Sequence, residues 1–190
     1  MATTISFPTA VSDHSSTNAS NAFADDGRLT DNIHATDDPI TWSSFSSLSI
    51  PAEATIDGIE IIVEAQGKTN ANLPKFKVYN GTSWSGNLGF NSTLGRSLTV
   101  YDPGWGASNY LWGLTWNATT AAGIQIQVDN GTIGTGASWR CDYLKVRVTY
   151  TAAAAAVMLK VNGVTDGNIA EVDGVTNANM AKINGITDTD

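Results

Sequence analysis

The apolar residues of this chain recur at every second position, in short runs separated by glycine and asparagine. In 55–65, Ile59, Ile61 and Val63 share one parity, while Glu60 and Glu64 share the other with Ile62. In 75–80, Phe76 and Val78 alternate with Lys75, Lys77 and Tyr79. Ile124, Ile126 and Val128 alternate with Gln125, Gln127 and Asp129, and Leu144, Val146, Val148 and Tyr150 with Tyr143, Lys145, Arg147 and Thr149. A period of two places alternate side chains on opposite faces of a strand, so each run predicts a strand buried on one side. Asn80-Gly81 and Asn130-Gly131 follow two of these runs and are hairpin signals.

A helical alternative lacks material. Glu, Lys, Leu, Met, Gln and Arg together number 30 of 190 residues, whereas Gly, Asn, Ser and Thr number 73. That balance excludes a helix bundle or coiled coil. Disorder is excluded too, because 42% of the residues are hydrophobic and 16 are aromatic, enough for a core. The expected fold is all-β: an antiparallel β-sandwich, jelly-roll-like, over residues 1–151, with no credible helix between its strands. Trp42, Phe45 and Leu48 predict that the polar N-terminal stretch ends in a strand. Tyr110, Trp112, Leu114 and Trp116 share a parity and predict another, its aromatics filling the space between sheets.

The pattern changes after Thr151. Residues 152–156 are five alanines, a joint between the sandwich and a repeated tail at 157–190. The repeat has a period of 11: VNGVTDGNIAE begins at Val161, VDGVTNANMAK at Val172, and a truncated INGITDTD at Ile183. Gly163, Gly174 and Gly185, each beside Asn or Asp, break a helix, so each repeat reads as a short β-arm with a tight turn. The apolar positions are Val161, Val164, Ile169, Val172, Val175, Met180, Ile183 and Ile186. About three such side chains per repeat cannot form an independent core. The tail is therefore expected to be ordered by assembly, with its own domain, a symmetry mate or another protein.

Net charge is −8, which disfavours nucleic acid as partner. Residues 1–60 carry nine acids against Arg28 alone, a local negative field. Asp25, Asp26, Asp31, Asp37 and Asp38 could offer oxygens to calcium, but Asp in turns more often serves the backbone. Asp25 and Asp26 are weak calcium candidates, and no metal site or cofactor is expected. His14 and His34 are the only histidines and Cys141 the only cysteine, so zinc spacing and an intrachain disulfide are excluded. Cys141 shares a parity with Trp139 and Tyr143 and reads as structural. Glu60 and Glu64 read as solvated strand acids. Two histidines with scattered Ser and Asp form no catalytic motif, and no enzyme activity is expected.

The sequence start has no basic segment followed by an apolar stretch, so no secretory signal is expected. The longest apolar run, 152–159, is far short of the roughly 20 residues of a membrane helix, so no membrane insertion is expected. Five Asn-x-Ser/Thr triplets, at Asn18, Asn80, Asn91, Asn117 and Asn130, are attributed to composition.

The stretch SIPAEATIDGIEIIVE at 49–64 resembles a jelly-roll-type β-sandwich module of structural proteins of tailed bacteriophages, in which an IPAGATI-x-GI stretch leads into a core strand. CDYLKVRVTYT at 141–151 resembles the module's last strand, and the acidic-Gly stretch at 25–27 has a parallel near its start. Glu53 stands where the pattern often has Gly, which affects a turn. The resemblance spans residues 5–151, and the repeated tail is similar to tails of phage virion proteins.

It implies a non-enzymatic virion structural protein on the particle exterior: a capsid decoration or cement subunit, a head fibre or a tail appendage. Such a protein is assembled in the host cytoplasm and docks through its tail or N-terminus. Its partners would be other virion proteins and its own copies, with a trimer favoured. The alternative is a carbohydrate-binding adhesin whose partner is a host glycan. Trp84 and Trp105, in Gly-rich segments read as loops where exposure is expected, are the candidates for sugar stacking or for an interface.

Overall fold

A computed structural model describes residues 1–12, 18–30, 33–34, 39–67, 71–72, 74–89, 93–129 and 138–153, and four two-residue strands between 160 and 176. The chain divides into two units, Met1–Ala153 and Ala154–Asp190, the division falling within the alanine joint. Among the described residues the first unit contains β1 (Ala2–Ser6), β2 (Ala10–Ser12), β3 (Ile33–His34), β4 (Thr41–Ser43), β5 (Thr55–Gly67) and β6 (Ala71–Asn72). It continues through β7 (Lys75–Tyr79), β8 (Thr93–Leu94), β9 (Thr99–Ala107), a short helix α1 (Ala118–Ala122), β10 (Gln125–Asp129) and β11 (Ser138–Thr151).

Two antiparallel sheets form the sandwich. One has the order β1-β11-β5-β9, with β3 also on β11, and the other has β2-β4-β10-β7. From β5 onward, β5, β7, β9, β10 and β11 fall alternately in the two sheets, the wrapping of a jelly roll. The core is built from the inward parities: Ile59, Ile61 and Val63 of β5, Phe76 and Val78 of β7, Ile126 and Val128 of β10, and Leu144, Val146 and Val148 of β11. Phe76 joins the layers edge-on, with its ring 4.5 Å from that of Trp105 and 6.3 Å from that of Trp139.

Parity fails as a guide at one place in β11. Cys141 pairs with Ala65 and Tyr143 with Glu64, so Asp142 is an extra residue, a β-bulge. The bulge resets the alternation. Trp139 and Cys141 join the core before it and Leu144 and Val146 after it, while Tyr143 lies outside that cluster. The grouping of Cys141 with Tyr143 is corrected accordingly.

The strand expected over 110–116 is also corrected. Trp112 (φ +59°) and Gly113 (φ +70°) hold left-handed backbone that an extended strand excludes. The turn is anchored by the Trp112 indole N–H, which donates to the Ile59 carbonyl at 2.9 Å, and by the Trp116 indole, which donates to the Leu111 carbonyl at 2.9 Å. Trp112 and Trp116 are buried in the core, and Tyr110 is exposed. The segment then enters α1, a five-residue helix where none was expected. Asn117 caps it: its side chain accepts from the Thr120 N–H at 2.9 Å, and the Asn117 N–H donates to Thr120 Oγ1 at 2.9 Å. The reciprocal cap allows so short a helix.

Asn80 reverses the chain after β7. Its Oδ1 accepts from the N–H groups of Thr82 (3.0 Å) and Ser83 (2.9 Å), and its amide donates to the Thr115 carbonyl at 3.0 Å. The returning segment bridges back at Tyr79↔Trp84 and Phe76↔Leu88. It thereby covers the outer edge of β7, an edge that would otherwise expose unpaired backbone groups.

The second unit contains β12 (Lys160–Val161), β13 (Val164–Thr165), β14 (Glu171–Val172) and β15 (Val175–Thr176). They pair as two antiparallel hairpins of matching register, Val161↔Val164 and Val172↔Val175.

Candidate functional site

Three parts of the chain bring acids together where β5 meets the bulge of β11. The 23–30 segment lies against β11 through the bridge Phe23↔Tyr143. It is fixed by the Thr30 N–H donating to the Cys141 carbonyl at 2.8 Å, and the Cys141 N–H donating to Thr30 Oγ1 at 3.0 Å. This places Asp25 beside Glu64 and Asp142, and one carboxylate oxygen of each lies within 4.8 Å of the others. Asp25 is exposed, Glu64 half-buried and Asp142 buried, 1% exposed. Asp142 Oδ2 accepts from the Gly27 N–H at 3.3 Å, whereas its buried Oδ1 has no hydrogen-bond partner among the described residues.

The electrostatics follow from this crowding. Burial first, then the adjacent Asp142 carboxylate, then Asp25, raise the Glu64 carboxyl above its usual 4.5, with Lys145 partly offsetting them. A raised folded-state value means that stability from this group is present below pH 4.5 and is lost as pH rises through the folded value. Tyr143, the cross-strand partner of Glu64, is pushed up to about 12, by burial first and then by Glu64, Asp25, Asp102 and Asp142. Burial, then Asp142 and Glu64, also push the Cys141 thiol well up, and a buried thiol held protonated is a poor nucleophile. The Lys145 ammonium sits 4.5 Å from the Tyr143 ring centre.

Of the two weak calcium candidates, Asp25 belongs to this cluster. Asp26 turns elsewhere, accepting from the Arg28 N–H at 3.0 Å and pairing with its guanidinium at 3.7 Å. Asp31, Asp37 and Asp38 lie outside the described residues. Glu60 is not a solvated strand acid. It is 5% exposed and meets Arg147 at 3.4 Å, which also holds Asp102 at 2.8 Å across β9. Glu64, read as a solvated strand acid, is half-buried in this cluster, and Asp142 was not singled out because it has no acidic neighbour in sequence.

The two tryptophan candidates separate. Trp84 is 37% exposed, its ring 5.1 Å from that of Tyr79, with the Lys77 ammonium 4.9 Å from its centre. Trp105 is 2% exposed, so its expected exposure is corrected. The glycines around it do not mark a loop. They lie in edge strand β9, where Gly106 lets the backbone close on β5.

In the tail, Val161, Val164, Val172 and Val175 occupy hairpin strand positions. Ile169, Met180, Ile183 and Ile186 lie outside the described residues. A cleft of about 210 Å³ lined by Gln66, Gly67, Arg96 and Arg140 is smaller than the roughly 300–1,000 Å³ usual for small-molecule sites. Among the described residues no helix is long and apolar enough to cross a membrane. No family model matches the chain, and no curated protein matches it.

Proposed function

We propose that this chain is a non-enzymatic structural protein of a tailed-phage particle, an exterior body that docks and assembles through its repeated tail. The observation that carries this reading is the pair of tail hairpins. Two repeats 11 residues apart form two-stranded arms of the same register. A hairpin with two-residue strands is not stable alone in water. Repetition of such a unit makes sense where symmetric copies or successive partner sites stack against it. The 49–64 and 141–151 stretches that resemble the phage module contribute strands β5 and β11, the centre of one sheet. That supports the reading of residues 1–151 as the presented body.

Quantitative mass spectrometry of particles purified from cells producing the chain tests the proposal. Copies on the order of hundreds per particle indicate decoration, and dozens or fewer a tail part or vertex fibre. Absence from the particles sinks the proposal.

A second reading, a glycan-binding adhesin, is favoured by the exposed Trp84 beside Tyr79 and Lys77. Aromatic faces stack on sugar rings, and a neighbouring cation adds hydrogen-bond donors. Under it, Trp84→Ala is expected to abolish specific signals on a glycan array with the Tm shifted by less than about 2 °C, because the side chain is already partly in water. Retention of every signal by the variant removes Trp84 from the binding surface.

A further inference from the structure

We propose that Asp25, Glu64 and Asp142 form a binding site for a hard divalent cation, calcium by preference, independently of the assembly reading. Three observations converge on it. The first is the donor set: three carboxylates within 4.8 Å of one another, with the nearest thiol, Cys141, turned to the core and donating to the Tyr143 carbonyl at 3.0 Å. An all-oxygen set selects calcium, magnesium or manganese over zinc or copper.

The second observation is Asp142 Oδ1. It is an oxygen of a cluster residue that is 1% exposed, and it has no hydrogen-bond partner among the described residues. Buried polar atoms are nearly always satisfied, and one left over in a group of acids points to an absent partner of positive charge. The third is the bulge that delivers it. Without Asp142, Trp139, Cys141, Leu144, Val146 and Val148 would alternate regularly along β11. The extra residue interrupts that ladder and supplies the buried acid. Bulges are over-represented next to functional sites, where they re-aim a side chain.

Calcium is preferred to magnesium because the ligands come from an exposed loop and two strands. Such a set suits the irregular 6–8-oxygen shell of calcium better than a rigid octahedron, and waters and carbonyls would complete it. The bound ion would offset most of the negative charge of the three acids and tie the 23–30 segment to β5 and β11. Lys145 already lies on this face, and its ammonium is spread over the Tyr143 and Phe7 rings at 4.5 and 5.7 Å.

The test uses the full chain, stripped with chelator and titrated with calcium chloride. With a Kd in the roughly 0.1–1 mM range of extracellular calcium modules, about 10 mM calcium is expected to raise Tm by about 3–10 °C over chelator. Terbium should show luminescence sensitised through Tyr143 and be displaced by calcium. Asp25→Asn, at an exposed position, should keep the fold and lose both the shift and the luminescence. Asp142→Asn, which keeps an acceptor for the Gly27 N–H, should do the same, and Asp26→Asn should retain both.

The proposal is overturned if wild-type Tm is equal in calcium and chelator. It is overturned as well if sodium chloride at matched ionic strength gives the same shift, or if Asp25→Asn retains it. Should Asp142→Asn fail to fold, Asp25→Asn decides alone.

Discussion

Replacing Trp42 by alanine is expected to cost about 3–5 kcal/mol, a large part of the roughly 5–15 kcal/mol by which a domain of this size is stable. Trp42 is fully buried at the centre of the three-residue strand β4, opposite Val11 of β2 and Ile126 of β10. Its indole N–H donates to the Ala19 carbonyl at 3.3 Å and ties the 3-10 turn Ala19–Ala22 to the sheet. Truncation leaves a cavity that three strands must shift to fill, and it strands that carbonyl. Because β2 and β4 are only three residues long, their backbone ladders cannot make up the loss. Urea unfolding should show a lower midpoint with an unchanged slope. A loss below about 1 kcal/mol would contradict this placement of Trp42 in the core.

Gly106→Ala should be comparably damaging, at about 2–5 kcal/mol, for a different reason. Gly106 has φ +82°, and a Cβ there would run into the Ile59 carbonyl, with the Trp112 indole nitrogen 3.1 Å away. The carbonyl and the indole are partners in a buried hydrogen bond, so the methyl group must break that contact or push β9 off β5. The cost combines left-handed strain of about 1–2 kcal/mol with the loss of a buried hydrogen bond, about 1–3 kcal/mol. Gly81 is the internal control. Its φ is +88°, but nothing lies within 4 Å of its would-be Cβ. Gly81→Ala should cost only the strain, and equal losses at the two positions would refute the steric part of the argument.

The central strands were readable because they are half-buried, and burial on one face writes alternation into the sequence. β5, β7 and β10 lie within about two residues of the runs that announced them, and β11 starts at Ser138, well before the alternation that announced it at Tyr143. β9 was not readable. It is an edge strand with Pro103, Gly104 and Gly106 inside it and mostly exposed residues at its start, so it carries breakers where a strand signal was sought. β1 was hidden for a related reason, since four of its five residues are exposed or half-buried. The aromatic run at 110–116 misled in the opposite direction, because its tryptophans enter the core from a turn. The 11-residue repeat, with Asn162-Gly163 and Asp173-Gly174, marked both tail hairpins directly.

The acid cluster was one-third legible. Asp25 stood out in an acidic turn. Glu64 and Asp142 come from strands, and the Gly27 N–H that contacts Asp142 is 115 residues away in sequence. Only the pairing of β5 with β11, and the bulge at Asp142, bring the three together. A bulge leaves little trace in a sequence, since it looks like an ordinary change of parity.

The division of labour between a self-sufficient sandwich and an assembling tail is tested most directly by sedimentation of the full chain beside a chain ending at Ala153. The full chain should be a closed oligomer, with a trimer favoured. The shortened chain should be monomeric and should unfold with a Tm within about 3 °C of the full chain's sandwich transition, because the core residues all precede Ala153. A shortened chain that assembles to the same oligomer, or a full chain that stays monomeric at every concentration and in contact with particles, would contradict the tail's assigned role.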